Sequence, residues 1–244
     1  MIGTSGIVVP GNRQSFPPAF QDKSRLHYYG SLFNSLEVNS SFYKVPMRST
    51  CERWSSEVPA GFRFTLKLWK ALTHAKNLDF DTTHFGKFMN AAEGIGPKKG
   101  CILVQFPGKI NFEFYNQVEQ LLDGLQQEDR GNEWRIAVEF RSSSWYVRET
   151  YELLNEFGAA LVMHDIPKGK NQEVNGIADF LYLRYHGPKG DYRGSYTEAF
   201  LKEQARKIAG WRGAGKDVYV YFNNTAGDAL ANARALQQFS GTEP

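Results

Sequence analysis

The sequence predicts an α/β chain folded as a single (β/α)8 barrel of the TIM type, with eight parallel strands. Three observations lead there. Eight short β-rich runs recur along 244 residues, helical patterns separate them, and the loops at the two ends of the strands differ in chemistry. Helix-to-strand loops carry Gly61, Gly96, Gly100, Gly131, Gly158, Gly213 and Gly215, where glycine suits a left-handed helix C-cap. Strand-to-helix loops are instead polar and aromatic, and several are long, as expected for the site-bearing end of such a barrel.

Taken in order, the strand runs are 2–6, 35–39, 62–67, 101–106, 135–140, 160–165, 180–186 and 218–222. Helices are expected near 22–34, 48–57, 80–93, 112–128, 147–157, 197–213 and 226–239. The sixth connection, 167–179, is polar and has the weakest helical signal. A doubly wound open sheet would want a glycine-rich turn after an early strand, and Gly3-Thr4-Ser5-Gly6 is too weak for that. No linker, composition break or internal repeat divides the chain, so residues 1–244 read as one domain.

Composition narrows the classes of function. Lys and Arg total 29 against 26 Asp and Glu, a net charge of +3. That is small for a protein that coats duplex nucleic acid or an anionic membrane. Hydrophobic residues make up 41% and aromatics 14%, enough for a full core and incompatible with disorder. Cys51 and Cys101 form no disulfide framework or metal-knuckle spacing and read as core residues in a reducing compartment. No leader pattern opens the chain and no run reaches the 18 apolar residues of a membrane span, so a cytoplasmic location is expected.

Strand parity identifies the inward side chains, because alternate residues point to opposite faces. Apolar partners facing the helices leave Glu37, Asn39, Lys67, Gln105, Glu139, Arg141, Asp165, Arg184, His186, Tyr221 and Asn223 pointing inward. Seven strands thus aim polar groups at one mouth. One such group is an ordinary buried ion pair; a whole set is costly unless it serves a solvated pocket.

The residues around these positions resemble a known family. Ser35-Leu-Glu-Val-Asn-Ser-Ser-Phe-Tyr43 with Val45-Pro46, Phe64-Thr-Leu-Lys67 with Thr73-His74, and Leu103-Val-Gln-Phe-Pro107 are its early motifs. Val138-Glu-Phe-Arg141 with Ser144-Trp145, Asp165 with Pro167, Leu183-Arg-Tyr-His-Gly187, Tyr219-Val-Tyr-Phe-Asn-Asn-Thr225 and Asn232-Ala233 continue the pattern. The chain is similar over nearly its whole length to the YecE-like proteins, domain of unknown function 72. The resemblance implies a TIM-type barrel and carries no assigned reaction. Two departures stand out: Ile7 where the family usually has Trp, and Ser142 where it often has His.

The chemistry these residues suggest is an acid–base enzyme for a small anionic substrate, whether phosphorylated, nucleotide or carboxylate. Glu139 is the expected base or nucleophile, with His186, Glu37 and Asp165 completing the catalytic set. Lys67, Arg141 and Arg184 would hold the anion, since arginine forks match carboxylate and phosphate oxygens. Asn39, Gln105, Asn223 and Asn224 would orient it, with Tyr43, His74 and Trp145 at the rim. Asn224-Thr225-Ala226-Gly227-Asp228 opens the last helix, whose free amides would favour an anion. The long loop 186–196 is expected to act as a lid. Glu37 and Glu139 also suggest a glycosidase pair, and Glu139, Asp165 and His186 a metal half-site, but the neighbouring cations disfavour a metal. No cofactor and no metal are assigned. The rival reading is a nucleic-acid module with Trp145, Tyr192 and Tyr196 as stacking platforms.

Overall fold

The computed structural model describes residues 1–169, 171 and 173–242. Nine strands occur among them: β1 (Ile2–Thr4), β2 (Ser35–Val38), β3 (Arg63–Lys67), β4 (Lys99–Phe106), β5 (Arg135–Phe140), β6 (Ala160–Leu161), β7 (Met163–His164), β8 (Phe180–Tyr185) and β9 (Asp217–Phe222). The α-helices are α1 (Arg25–Gly30), α2 (Ser40–Tyr43), α3 (Arg48–Ser56), α4 (Lys70–Thr73), α5 (Thr83–Ala92), α6 (Tyr115–Glu128), α7 (Arg148–Glu156), α8 (Glu198–Gly213) and α9 (Ala229–Ser240). The seven expected helices are present, and the short α2 and α4, directly after β2 and β3, were not expected. Among the described residues of the sixth connection there are a 3-10 turn at Pro167–Gly169 and an isolated bridge from Asn171 to His164, and no α-helix.

The expected single eight-stranded barrel is corrected. The strands pair in parallel in two sheets, ordered β1-β9-β8-β7 and β2-β3-β4-β5-β6. The run 160–165 breaks at Val162: Leu161 pairs with Val138 in one sheet, Met163 with Leu183 in the other. Two residues are too few to hold a ladder to both neighbours. At the other junction β1 is three residues long, and one isolated bridge, Ser5 to Glu37, reaches the second sheet. Gly3 permits that approach, because a Cβ there would lie 2.0 Å from the Ser35 carbonyl oxygen.

Alternation along the strands builds two cores. In β8, Leu181, Leu183 and Tyr185 join the large cluster against the helices. Phe180 and Tyr182 join a second cluster between the sheets with Cys101, Leu103, Ala137, Val162, Tyr219 and Tyr221. The helices follow from local signals. Thr197 caps α8 by accepting from the Phe200 amide, Glu198 sits in its first turn and Arg212 in its last. Leu201, Ala205 and Ile208 form its buried stripe, and each larger aliphatic contributes about 2 kcal/mol. Of the seven expected C-cap glycines, Gly96, Gly158 and Gly215 take positive φ and the other four do not.

Candidate functional site

The C-terminal ends of β2, β5 and β8 place Glu37, Glu139 and Arg184 in one buried layer. Arg184 forks onto Glu37, with Nε to Oε2 at 3.0 Å and Nη2 to Oε1 at 2.7 Å. Its Nη1 reaches Glu139 Oε2 at 2.7 Å. The other Glu139 oxygen is ion-paired with Arg141 Nε. Tyr182 donates to Glu37 Oε2 at 2.6 Å, so a second member of the β8 face serves the same layer. Burial would raise both carboxyls. For Glu139 the charges of Arg184 and Arg141 outweigh it and hold the group well below its ordinary value. Glu37 is lowered in the same way by Arg184, with added hydrogen bonds from Arg184 and Tyr182.

His186 continues the network outward. Its Nδ1 faces Asp165 Oδ1 at 3.2 Å, while Nε2 lies 3.3 Å from Arg141 Nη2 and 3.4 Å from Arg184 Nη1. Guanidinium nitrogens only donate, so Nε2 is the acceptor and the proton sits on Nδ1. Burial, aided by Arg184, lowers its pKa to about 4. Asp165 also accepts from the His186 amide and pairs with the Tyr196 hydroxyl. The loop 186–196 closes over this corner: the Tyr192 ring meets His186 edge-on at 5.4 Å, and its hydroxyl lies 3.4 Å from Arg141 Nη1. Gly187 has φ +101°, and a Cβ there would meet the Arg193 carbonyl oxygen at 2.2 Å.

Lys67, at the end of β3, stands apart from these pairs. Its Nζ lies 4.3 Å from the centre of the Phe42 ring and has no hydrogen bond or ion pair among the described residues. Burial, then the charge of Arg184, lowers it to about 8. His74 meets the other edge of Phe42 at 4.8 Å and bonds Thr73 Oγ1 at 2.8 Å. Burial and the charges of Lys67, Lys109 and Lys70 lower it to about 4, which marks this side of the mouth as electropositive.

Several expected members stand elsewhere. Trp145 is fully buried, stacked on Phe140 at 4.2 Å, and donates Nε1–H to the Ile110 carbonyl at 2.8 Å. It is a core residue because the chain after β5 folds back over the sheet. Asn224 donates to Gly194 O and Asn232 Oδ1, tying the long loop to α9. The amides of Ala226, Gly227 and Asp228 donate to the Tyr192, Asn224 and Gly194 carbonyls, so the turn that precedes α9 spends these three amides on the chain itself. Tyr43 is 68% exposed on α2 and outside the network. Gln105 Nε2 donates to the Phe106 carbonyl; Asn223 is buried just past β9, held by its backbone N–H on Tyr185 O. Sequence reasoning missed Tyr182 and Phe42. Tyr182 shares the parity of Arg184 and His186 and was legible on that ground; Phe42 had no strand parity to reveal it. Among the described residues no group of three His, Cys, Asp or Glu gathers as a metal site.

The fold and this layer define a class: an α/β protein of parallel sheets with an arginine–carboxylate cluster buried at the strand C-termini. The chain belongs to the family described as "Protein of unknown function DUF72", which matches residues 1–244. A curated relative, UPF0759 protein YunF of Bacillus subtilis (strain 168), is 25% identical, with 98% of this chain and 96% of that protein covered. A DUF72 family protein of Enterococcus faecalis V583 has a similar structure, with TM-score 0.77 at 19% identity, covering 98% of this chain and 94% of that one. One of Thermotoga maritima MSB8 has TM-score 0.73 at 24% identity, covering 97% of both chains. These two likenesses concern the fold. No helix among the described residues is long and apolar enough to cross a membrane.

Proposed function

We propose that the protein is an enzyme that takes a small anionic substrate at the strand C-termini and acts on it by acid–base chemistry. The observation that carries this reading is the unequal fate of the cations. Arg184 is consumed by Glu37 and Glu139, whereas Lys67 has no carboxylate in ion-pair contact among the described residues and feels Arg184 and Arg141 as well as the two already paired carboxylates. An anion entering there would meet Lys67 and the outer edge of Arg141.

The geometry redistributes the catalytic roles. Glu37 and Glu139 have their oxygens occupied by arginines and act as counter-charges, which is the weakest setting for a proton shuttle. His186 accepts from two guanidiniums through Nε2 and, with Asp165, fixes their orientation. Burial and Arg184 bring Lys67 down to about 8, within the range where an amine exchanges protons at working pH. The nucleic-acid reading loses Trp145 and Tyr196 as platforms, since both are buried.

Titration with inorganic phosphate or pyruvate tests the reading through the melting temperature, because a ligand of the native state stabilises it. Wild type should respond, and Lys67→Met should weaken the response at least tenfold. A wild type that responds to neither anion, or a Lys67→Met protein with the full response, would overturn it.

A further inference from the structure

We propose that Lys67 is a nucleophilic amine that forms a Schiff base with a small aldehyde or α-keto acid bearing a carboxylate or phosphate. The proposal rests on the anionic-substrate reading above and names its chemistry. The other half-buried lysines among the described residues have structural work. Lys99 pairs with Glu93 and Glu133, Lys98 donates to the Ser55 and Val58 carbonyls, and Lys216 to those of Gly176 and Ala178. Among the described residues Lys67 has the face of Phe42, a contact that supplies its nitrogen with no hydrogen-bond acceptor. A half-buried amine with no carboxylate in ion-pair contact among the described residues matches the way lysines are activated for carbonyl chemistry: desolvation and the charges of Arg184 and Arg141 favour the neutral form and outweigh the opposing Glu139 and Glu37.

Val38 and Leu66 are paired in register, so Asn39 and Lys67, one residue further on, leave adjacent strands at the same level. Asn39 has turned into helical backbone and lines the apolar cavity of Leu26, Leu36, Trp54 and Phe64, so the neighbours left to Lys67 are Phe42 and the arginine–carboxylate layer. Neutral Nζ adds to the carbonyl carbon while the π pair moves to oxygen. A proton passes from nitrogen to oxygen, and with one further proton the hydroxyl leaves as water, carrying the C–O pair. The nitrogen lone pair closes the C=N bond. Amine, carbonyl compound and one proton thus give an iminium ion and water, with no oxidant or reductant. The carboxylate or phosphate of the substrate would lie toward Arg141.

At pH 7.5 an amine titrating near 8 is neutral on the order of two hundred times more often than an ordinary lysine. Its lower basicity reduces that lead to about tenfold in rate, by the same trade-off that governs thiolates. The full chain is incubated with pyruvate, and separately with glycolaldehyde phosphate, in the presence of sodium borohydride, and modified lysines are located by peptide mass. With pyruvate the reduced adduct adds one pyruvic acid less one oxygen atom. Modification of Lys67 at least tenfold faster than that of exposed Lys44 and Lys202, suppressed by inorganic phosphate, is the expected result. Equal rates at Lys67 and the exposed lysines would overturn the proposal. Phosphate raising the melting temperature with no adduct on Lys67 would overturn the Schiff base alone and leave the anion site standing. Neither thermal response nor adduct would overturn both.

Discussion

Replacing Glu139 by Gln removes one negative charge from a layer in which that charge serves two arginines. Arg184 would keep Glu37, but Arg141 would lose its only carboxylate among the described residues. Both Glu139 and Arg184 are essentially inaccessible to water, so solvent cannot replace the lost counter-charge. Removing one partner of a buried pair costs about 3–5 kcal/mol. A chain of this size shifts its melting temperature by about 2–4 °C per kcal/mol, which predicts a fall of about 6–20 °C at pH 7. The pH dependence carries a second signature. Because the folded carboxyl lies well below its ordinary value, its stabilisation is complete above the unfolded pKa of about 4.3 and is lost only as pH falls through the folded value. The gap between wild type and variant should therefore be flat from about pH 8 to 5 and shrink in stronger acid. Thermal unfolding followed by circular dichroism across that range is the assay. A Glu139→Gln protein melting within about 2 °C of wild type at pH 7 would refute the counter-charge role, since two neighbouring guanidiniums sharing the single Glu37 carboxylate in a layer closed to water cannot cost so little.

Three further outcomes are expected. His186 has its pKa lowered to about 4, so the unfolded chain binds a proton that the folded one refuses between about pH 6.5 and 4. His186→Gln should remove on the order of 3 kcal/mol of acid-side destabilisation across that window, and an unchanged stability–pH slope would contradict a neutral His186. Gly187→Ala should lower stability by about 1–3 kcal/mol and speed amide exchange in residues 188–194, because the new Cβ strikes the Arg193 carbonyl; unaltered exchange would show that the loop is not held there. Trp145→Phe should cost about 1–3 kcal/mol by orphaning the Ile110 carbonyl, yet leave the phosphate response intact; a lost response would return Trp145 to the ligand site.

Much of the site was legible from alternation. In Leu36-Glu37-Val38 and Leu183-Arg184-Tyr185 the apolar neighbours must face the helices, so the charges face the other way, and the structure brings Glu37 and Arg184 to 2.7 Å. The same rule covered Tyr182, but an aromatic ring on a strand was absorbed into the core, and its hydroxyl on Glu37 went unseen. Loops obey no such rule. Trp145 and Asn224 were placed at the mouth from chain position alone, whereas packing on Phe140 and hydrogen bonds to Gly194 and Asn232 turn them away.

What the sequence by itself determined was the alternation of the eight β runs with the seven longer helices and which strand residues point away from the helices, because both follow from period-two and period-3.6 patterns spanning a few residues. Tertiary structure alone decided the rest. The short runs β1, β6 and β7 divide into two parallel sheets because ladder partners are chosen across the chain, and two or three residues cannot satisfy both sides. Which cation each carboxylate neutralises is likewise a property of distances between strands far apart in sequence: Arg184 meets Glu37 across 147 residues and Glu139 across 45. Lys67 is left without a carboxylate partner among the described residues by those remote pairings, since Coulomb attraction and desolvation depend on separation in space and no local pattern encodes it.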